Sequence, residues 1–260
     1  MGSWSRGAAV FVVVIGSSAC GGSSLSLDPV ASAANATAKA GSEHVTLNAS
    51  VNSAGVGIDM TGEGDFDNAS HEGELQMTFV SGAVSGSIDE VMKDWVIYMR
   101  SNLFSSDLPA GKTWLKIDLQ KAGKSLGIDF STLGTQDPTQ LLDQLEAVGS
   151  VTKVGTEEIG VKTTHYRAAM DVSKIPSGAR IEQLMHAQYE PIDIWIDDHD
   201  LVRRVRMSYS VRTPGVGRTS TVTTMDFSDF GEQVHVNLPS DADTFDATSL
   251  GTKALKKAGT

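Results

Sequence analysis

Apolar and polar side chains alternate along much of this chain. In Val56–Asp67, Ile58, Met60 and Phe66 fall on one side while Asp59, Thr61, Glu63 and Asp65 fall on the other. Glu72–Val80 repeats the pattern, with Leu75, Met77 and Phe79 set against Glu74, Gln76 and Thr78. Successive strand residues point to opposite faces, so a period of two predicts antiparallel strands with one buried and one wet face. The period begins near Glu43. After a turn at Gly82–Gly86 it predicts strands over Ser87–Met92, Asp94–Arg100, Thr113–Leu119, Val151–Ile159 and Thr163–Val172. Ile192–Asp197, Leu201–Arg212, Ser220–Ser228 and a short last strand at Gln233–Asn237 complete the series. About eleven strands joined mostly by short turns describe a meander, not a βαβ fold.

Helical signals interrupt the alternation. Asp28-Pro29 resembles a cap followed by proline in the first helical position, and the helix would continue through Ala31–Ala40. Asp137-Pro138 opens a second helix whose stripe is Leu141, Leu142, Leu145 and Val148, and Gly149 closes it. Ile181, Leu184 and Met185 recur at helical spacing ahead of Pro191. Helices inserted in one meander, each with a single apolar stripe, lie most naturally across the concave side of a bent sheet. The expected fold class is therefore α+β, mostly β: a strongly curved antiparallel half-barrel with helices covering its concave face. No repeat or linker divides residues 28–240, which read as one domain. Residues 241–260, with Lys253, Lys256 and Lys257, read as a flexible tail.

The chain start has a different grammar. Arg6 precedes an apolar run from Ala8 to Gly16, then Ser17-Ser18-Ala19, Cys20 and Gly21-Gly22-Ser23-Ser24. Charge, apolar run and small residues in that order describe a secretory signal peptide over residues 1–19. The run is far short of the about 20 residues that cross a bilayer. Cys20 is the single cysteine and stands where a bacterial lipobox places its lipidated thiol, although Ser17 occupies a position where an aliphatic residue is usual. A lone cysteine forms no intramolecular disulfide, and lipid would cap an otherwise exposed thiol. Residues 20–27 then form a Gly/Ser tether, with the protein held at the extracytoplasmic face of the cell membrane.

Charge narrows the partners. The leader holds one arginine and no acid, so residues 20–260 carry 20 basic and 32 acidic side chains, a formal charge of −12. That sign excludes nucleic acid, which needs clustered Lys and Arg, and electrostatic adhesion to anionic lipid. Catalytic signatures are absent: no Gly-x-Ser-x-Gly elbow, no phosphate-binding glycine loop and no His-Glu-x-x-His. Asp197-Asp198-His199-Asp200 reads as an acidic hairpin turn rather than a metal site, since Asp favours turns through local hydrogen bonds. His165 and Arg167 share a strand face with Asp171, as expected of a solvated face. No metal, cofactor or catalytic residue is expected, and the protein reads as a monomeric non-enzyme.

The surplus that remains is apolar. Beyond Met1, eight methionines all fall on predicted strands or helix; methionine adapts to irregular apolar shapes and is over-used on promiscuous binding surfaces, while ordinary core packing accounts for the same residues one by one. Several segments together resemble actinobacterial lipoproteins of the LppX/LprAFG type, with the LolA/LolB-like fold. These are Trp95–Arg100, Gly111–Leu119, Gln136-Asp137-Pro138, Gly155-Thr156-Glu157, Thr164–Arg167, Ile194–Asp198 and Val202–Met207. The resemblance covers roughly residues 40–240 and implies a half-barrel whose helices close over an apolar cavity. It also implies a carrier or chaperone for lipids or lipoglycans without a catalytic site.

The leading expectation is a membrane-anchored lipid-binding protein, its ligand a lipid or lipoglycan. The cavity would be lined by Met60, Met77 and Phe79 from strands, with Leu141, Leu145, Leu184 and Met185 from helices. The alternatives are a cargo-free envelope sensor or scaffold that engages a protein partner, and a hydrolase using dispersed carboxylates.

Overall fold

The computed structural model describes residues 29–53, 55–126, 151–169, 187–189, 191–213, 217–250 and 252. Helix α1 spans Pro29–Lys39, and strands β1 (Ser42–Ser53), β2 (Val56–Asp67), β3 (Glu72–Ser81), β4 (Val84–Lys93), β5 (Val96–Ser101) and β6 (Trp114–Asp118) follow. Helix α2 covers Leu119–Leu126. Then come β7 (Val151–Glu158), β8 (Lys162–Ala168), β9 (Ala187–Tyr189), β10 (Ile192–Asp197), β11 (Val202–Thr213), β12 (Gly217–Ser228) and β13 (Thr244–Asp246). All belong to one sheet of 13 strands in the order β13-β6-β5-β4-β3-β2-β1-β12-β11-β10-β8-β7, with β9 beside β11. Its two ends do not pair with each other, so the curved sheet stays open. The expected class, mostly β with a curved antiparallel sheet, is the one observed; the expected helices at 137–149 and around 181–185 lie outside the described residues.

Register places the apolar residues of neighbouring strands in line. Leu47 pairs with Gly62 and Met225, Met60 with Phe79, and Met77 with Ile88. The same rows leave Asp59, Thr61, Glu63 and Asp65 on the outer face. Four glycines fall on the inner face of β2–β4, and neighbouring side chains or backbone occupy the space a side chain there would need. A Cβ on Gly73 would lie 2.3 Å from the ring of its cross-strand partner Phe66, and one on Gly86 2.4 Å from the ring of its partner Phe79. An aromatic laid flat over a cross-strand glycine lets adjacent strands coil tightly, which suits a sheet bending into a half-barrel.

α1 covers one part of that inner face. Val30, Ala31, Ala33, Ala34 and Thr37 are buried, and the small residues bring the helix close to β10 and β11. Thr37 Oγ1 donates to the Ala33 carbonyl at 2.8 Å and accepts from the Val202 backbone N–H at 2.9 Å, which ties helix to sheet. Ile192, Ile194, Val202, Val205, Val45, Phe227 and Phe66 complete the core beneath it.

Several boundaries differ from the sequence expectation; β4 begins at Val84, inside the expected turn at Gly82–Gly86, and β12 at Gly217 rather than Ser220. β5 starts at Val96, not Asp94, because Asp94 (φ 51°) and Trp95 (φ 68°) form the two-residue hairpin turn; two successive positive φ values match the twist of flanking strands. Strand β6 ends at Asp118, and Leu119 opens α2. Residues 232–240 form no strand, whereas 244–246, expected in a flexible tail, pair in parallel with Trp114–Lys116. Lys112 Nζ donates to the Asp241 and Ala242 carbonyls at 3.0 and 2.8 Å and helps hold that segment. At the other edge, β7 carries a bulge between Lys153 and Gly155, leaving the exposed Val154 as its extra residue.

Candidate functional site

The inner face falls into two parts. Under α1 it is closed, with Ile192, Ile194, Val202 and Val205 almost wholly buried. Across β2–β6 the same face is only half-buried: Ile58, Met60, Leu75, Met77, Ile88, Ile97, Met99, Leu115 and Ile117 all keep exposed surface. Met60 and Met77 belong to this half-open part, and Phe79, packed on Gly86, is its buried floor at 7% exposure. Leu141, Leu145, Leu184 and Met185 lie outside the described residues, as does Cys20. The half-open part runs out to the hairpin tips, where Val56 and Val84 are 58% and 57% exposed. These two share the inner-face frame of Ile58 and Ile88, so the apolar surface continues to the rim.

Glu90 stands in the middle of this apolar field. It is opposite Leu75 on β3 and Met99 on β5, with Ile88 and Met92 as its same-face neighbours on β4. Among the described residues it is the single ionisable side chain on the inner face of β2–β6. Burial pushes its carboxyl up to about 7, because a low-dielectric setting penalises the charged form.

The outer face carries a polar network across β7, β8, β10, β11 and β12. His165 Nδ1 lies 2.9 Å from Glu157 Oε1, and its Nε2 lies 2.9 Å from Asp193 Oδ1. Its ring stacks on Trp195 with centroids 4.2 Å apart, while Trp195 Nε1 donates to Glu157 Oε2 at 2.9 Å. Arg167 Nε donates to Asp193 at 2.8 Å, and the Arg204 guanidinium lies over Trp195 and pairs with Asp226. Burial pushes the Asp193 carboxyl up, but hydrogen bonds from Arg167 and His165 outweigh it and hold it below the usual range. The bond from Trp195 leads the causes that hold Glu157 down, against some desolvation. Both ring nitrogens are engaged by carboxylate oxygens. The expectation of a solvated face at His165 is thus corrected: the residue is 6% exposed, and its acidic partners are Glu157 and Asp193, with Asp171 outside the described residues. Sequence spacing could not join residues 157, 165 and 193, which only strand register brings together.

The acidic turn is as expected. Asp197 Oδ1 accepts from the His199 and Leu201 backbone N–H groups, both at 2.9 Å, and Asp200 takes φ 59°. Among the described residues no group of three metal-ligating side chains converges, and no helix is long and apolar enough to cross a membrane. A polar cleft of about 360 Å³ on the outer side is lined in part by Asp89, Arg100, Asn102 and Lys112. Arg100 is already paired with Asp89, and Lys112 with backbone carbonyls.

No family model matches the chain. Over 213 residues, 72% of its length, it is 26% identical to an uncharacterised 31.2 kDa protein encoded between rplA and rplJ in Streptomyces griseus. Over 148 residues, 54% of its length, it is 30% identical to a candidate lipoprotein of Streptomyces coelicolor. These matches span 67% and 44% of the two relatives. Among solved structures, an outer membrane lipoprotein-sorting domain candidate from Vibrio parahaemolyticus aligns with 88% of this chain and 97% of its own. Its identity is 10% and its TM-score 0.29, too low to carry weight.

Proposed function

We propose that this chain is an extracytoplasmic lipoprotein, anchored through Cys20, that holds the acyl part of a lipid or lipoglycan against the inner face of β2–β6 and carries or chaperones it. The observation behind this reading is the half-open apolar field from Met60 and Met77 to the valine rim. A globular domain normally buries a contiguous surface of that kind, and leaving it accessible marks a binding face. The similarity to a candidate lipoprotein in Streptomyces supports the anchoring half of the reading. Shielding a C16 chain offers on the order of 10 kcal/mol gross at about 0.8 kcal/mol per CH₂. Immobilisation offsets several of these, and useful affinity survives without polar chemistry.

Mass spectrometry of the full chain purified in mild detergent from an actinobacterial host tests both halves. The expected result is a diacylglyceryl adduct on a peptide beginning at Cys20 and a separate, non-covalent lipid at one per protein. Met77→Lys should lose the non-covalent lipid and keep the adduct. A folded wild-type protein that carries and accepts no lipid would overturn the carrier reading in favour of a cargo-free scaffold.

A further inference from the structure

The acyl-binding face contains one group that acyl binding alone does not call for. Leucine or methionine at position 90 would continue the row from Leu75 to Met99, yet the chain places a carboxyl there. Glu90 has neither a hydrogen bond nor an ion pair among the described residues. β3 turns Gly73, Leu75, Met77 and Phe79 towards this face, and β5 turns Ile97, Met99 and Ser101; none is charged or acidic. The charged neighbours of Glu90 on β4 point the other way, where Asp89 is held by Arg100 and Lys93 by Glu72. Glu90 is half-buried among these apolar neighbours, so a ligand that covers it removes its remaining water and must supply a hydrogen-bond partner in return.

We propose that Glu90 is the ligand-reading group of this face: as a neutral carboxylic acid it donates a hydrogen bond to an ester or acid carbonyl oxygen of a bound acyl lipid. The inference rests on the acyl-lipid reading above and adds the lipid's polar requirement to it. A neutral carboxyl is the form the site favours up to about pH 7. On this face β3 and β5 offer it no competing oxygen acceptor side chain apart from Ser81 at the hairpin tip and Ser101, whose hydroxyls donate to the Gly57 and Ser87 carbonyls at 2.8 and 2.6 Å. Ionised Glu90 has no proton to give and repels a carbonyl oxygen, so carbonyl-bearing lipids are released as pH rises.

The test uses the full chain in detergent and three pyrene-labelled C16 probes supplied from cyclodextrin: a methyl ester, which does not titrate, the plain hydrocarbon, and the alkylamine. Wild type should hold the ester about tenfold more tightly near pH 5.5 than near pH 9, with the hydrocarbon unaffected. Glu90→Gln, whose amide N–H still donates, should bind the ester equally at both. Glu90→Leu should bind ester and hydrocarbon alike. An unchanged pH profile in Glu90→Gln overturns the proposal, and so does a retained ester preference in Glu90→Leu. Tighter binding of the alkylamine than of the ester, lost in Glu90→Gln, overturns it in favour of an ion pair. Hydrocarbon binding without ester preference removes the role of Glu90 and leaves the acyl reading standing, whereas a folded protein that binds no probe removes both.

Discussion

Gly64 permits the sheet to curl, and adding one methyl group there should show how much. It lies on the inner face of β2 opposite Leu75. A Cβ at this position would sit 2.0 Å from the Glu74 carbonyl oxygen and 2.8 Å from Leu75 Cα. Both are backbone atoms of the adjacent strand and cannot rotate aside, and ordinary contact needs about 3.5 Å. Strands β2 and β3 must therefore part by roughly an ångström in mid-sheet. Overpacking typically costs about 1–3 kcal/mol, and an immovable obstacle places this case at the upper end. Alanine returns about 0.4–1 kcal/mol by restricting the unfolded chain. The net expectation for Gly64→Ala is a loss of about 2 kcal/mol, or a fall in Tm of about 4–8 °C for a domain of this size. Gly57→Ala, in the same strand with nothing within 4 Å of its Cβ, is the control and should stay within about 0.5 kcal/mol. Thermal unfolding followed by circular dichroism measures both. Equal melting of the two variants would refute the claim that close strand approach at Gly64 shapes the sheet.

Thr37→Val should cost about 1–3 kcal/mol in denaturant unfolding, because it strands the buried Val202 N–H that Thr37 Oγ1 accepts at 2.9 Å; wild-type stability would show that the helix tie is unimportant. Asp193→Asn should destabilise the protein near neutral pH, since it removes the charge between His165 and Arg167. Because the folded-state pKa of Asp193 lies below its ordinary value, its stabilisation is present above the unfolded pKa and fades as acid protonates the folded carboxylate. The gap between variant and wild type should therefore close below about pH 4, and a constant gap would count against it. Glu90 has the opposite sign. Its folded pKa, about 7 against an ordinary 4.5, means that the folded state holds the proton longer. Stability falls as pH rises from the lower value to the higher, so Glu90→Gln should gain on wild type across that window and match it in acid.

Much of the sheet was legible because its signal is local. The twelve-residue alternation of Val56–Asp67 gave both ends of β2, and the polar cluster after Ile196 gave the turn. Trp95 hid the β4–β5 turn, since a bulky β-former conceals a position that takes positive φ. Strand β13 is three residues long and parallel to β6, too short for alternation to register, while 233–237 alternates without pairing. Glu90 was within reach: the frame that turns Ile88 and Met92 inward turns Glu90 inward too. Reading only the apolar members of the pattern passed over it. The His165 network needed register among three strands, which no local pattern encodes.

The two borders of the open sheet bear on how copies of the molecule meet. A half-barrel has free backbone N–H and C=O groups at both ends, and a long flat edge invites another chain to add a strand. Among the described residues one border is β13, only three residues long. The other is β7, broken by the bulge at Val154, which sets Gly155 rather than Val154 opposite His165. Its exposed side chains include Thr152, Lys153, Thr156, Glu157 and Glu158. A bulge and acidic side chains on a border strand discourage edge-to-edge growth. The rims of the open sheet are thereby kept from becoming seeds for aggregation.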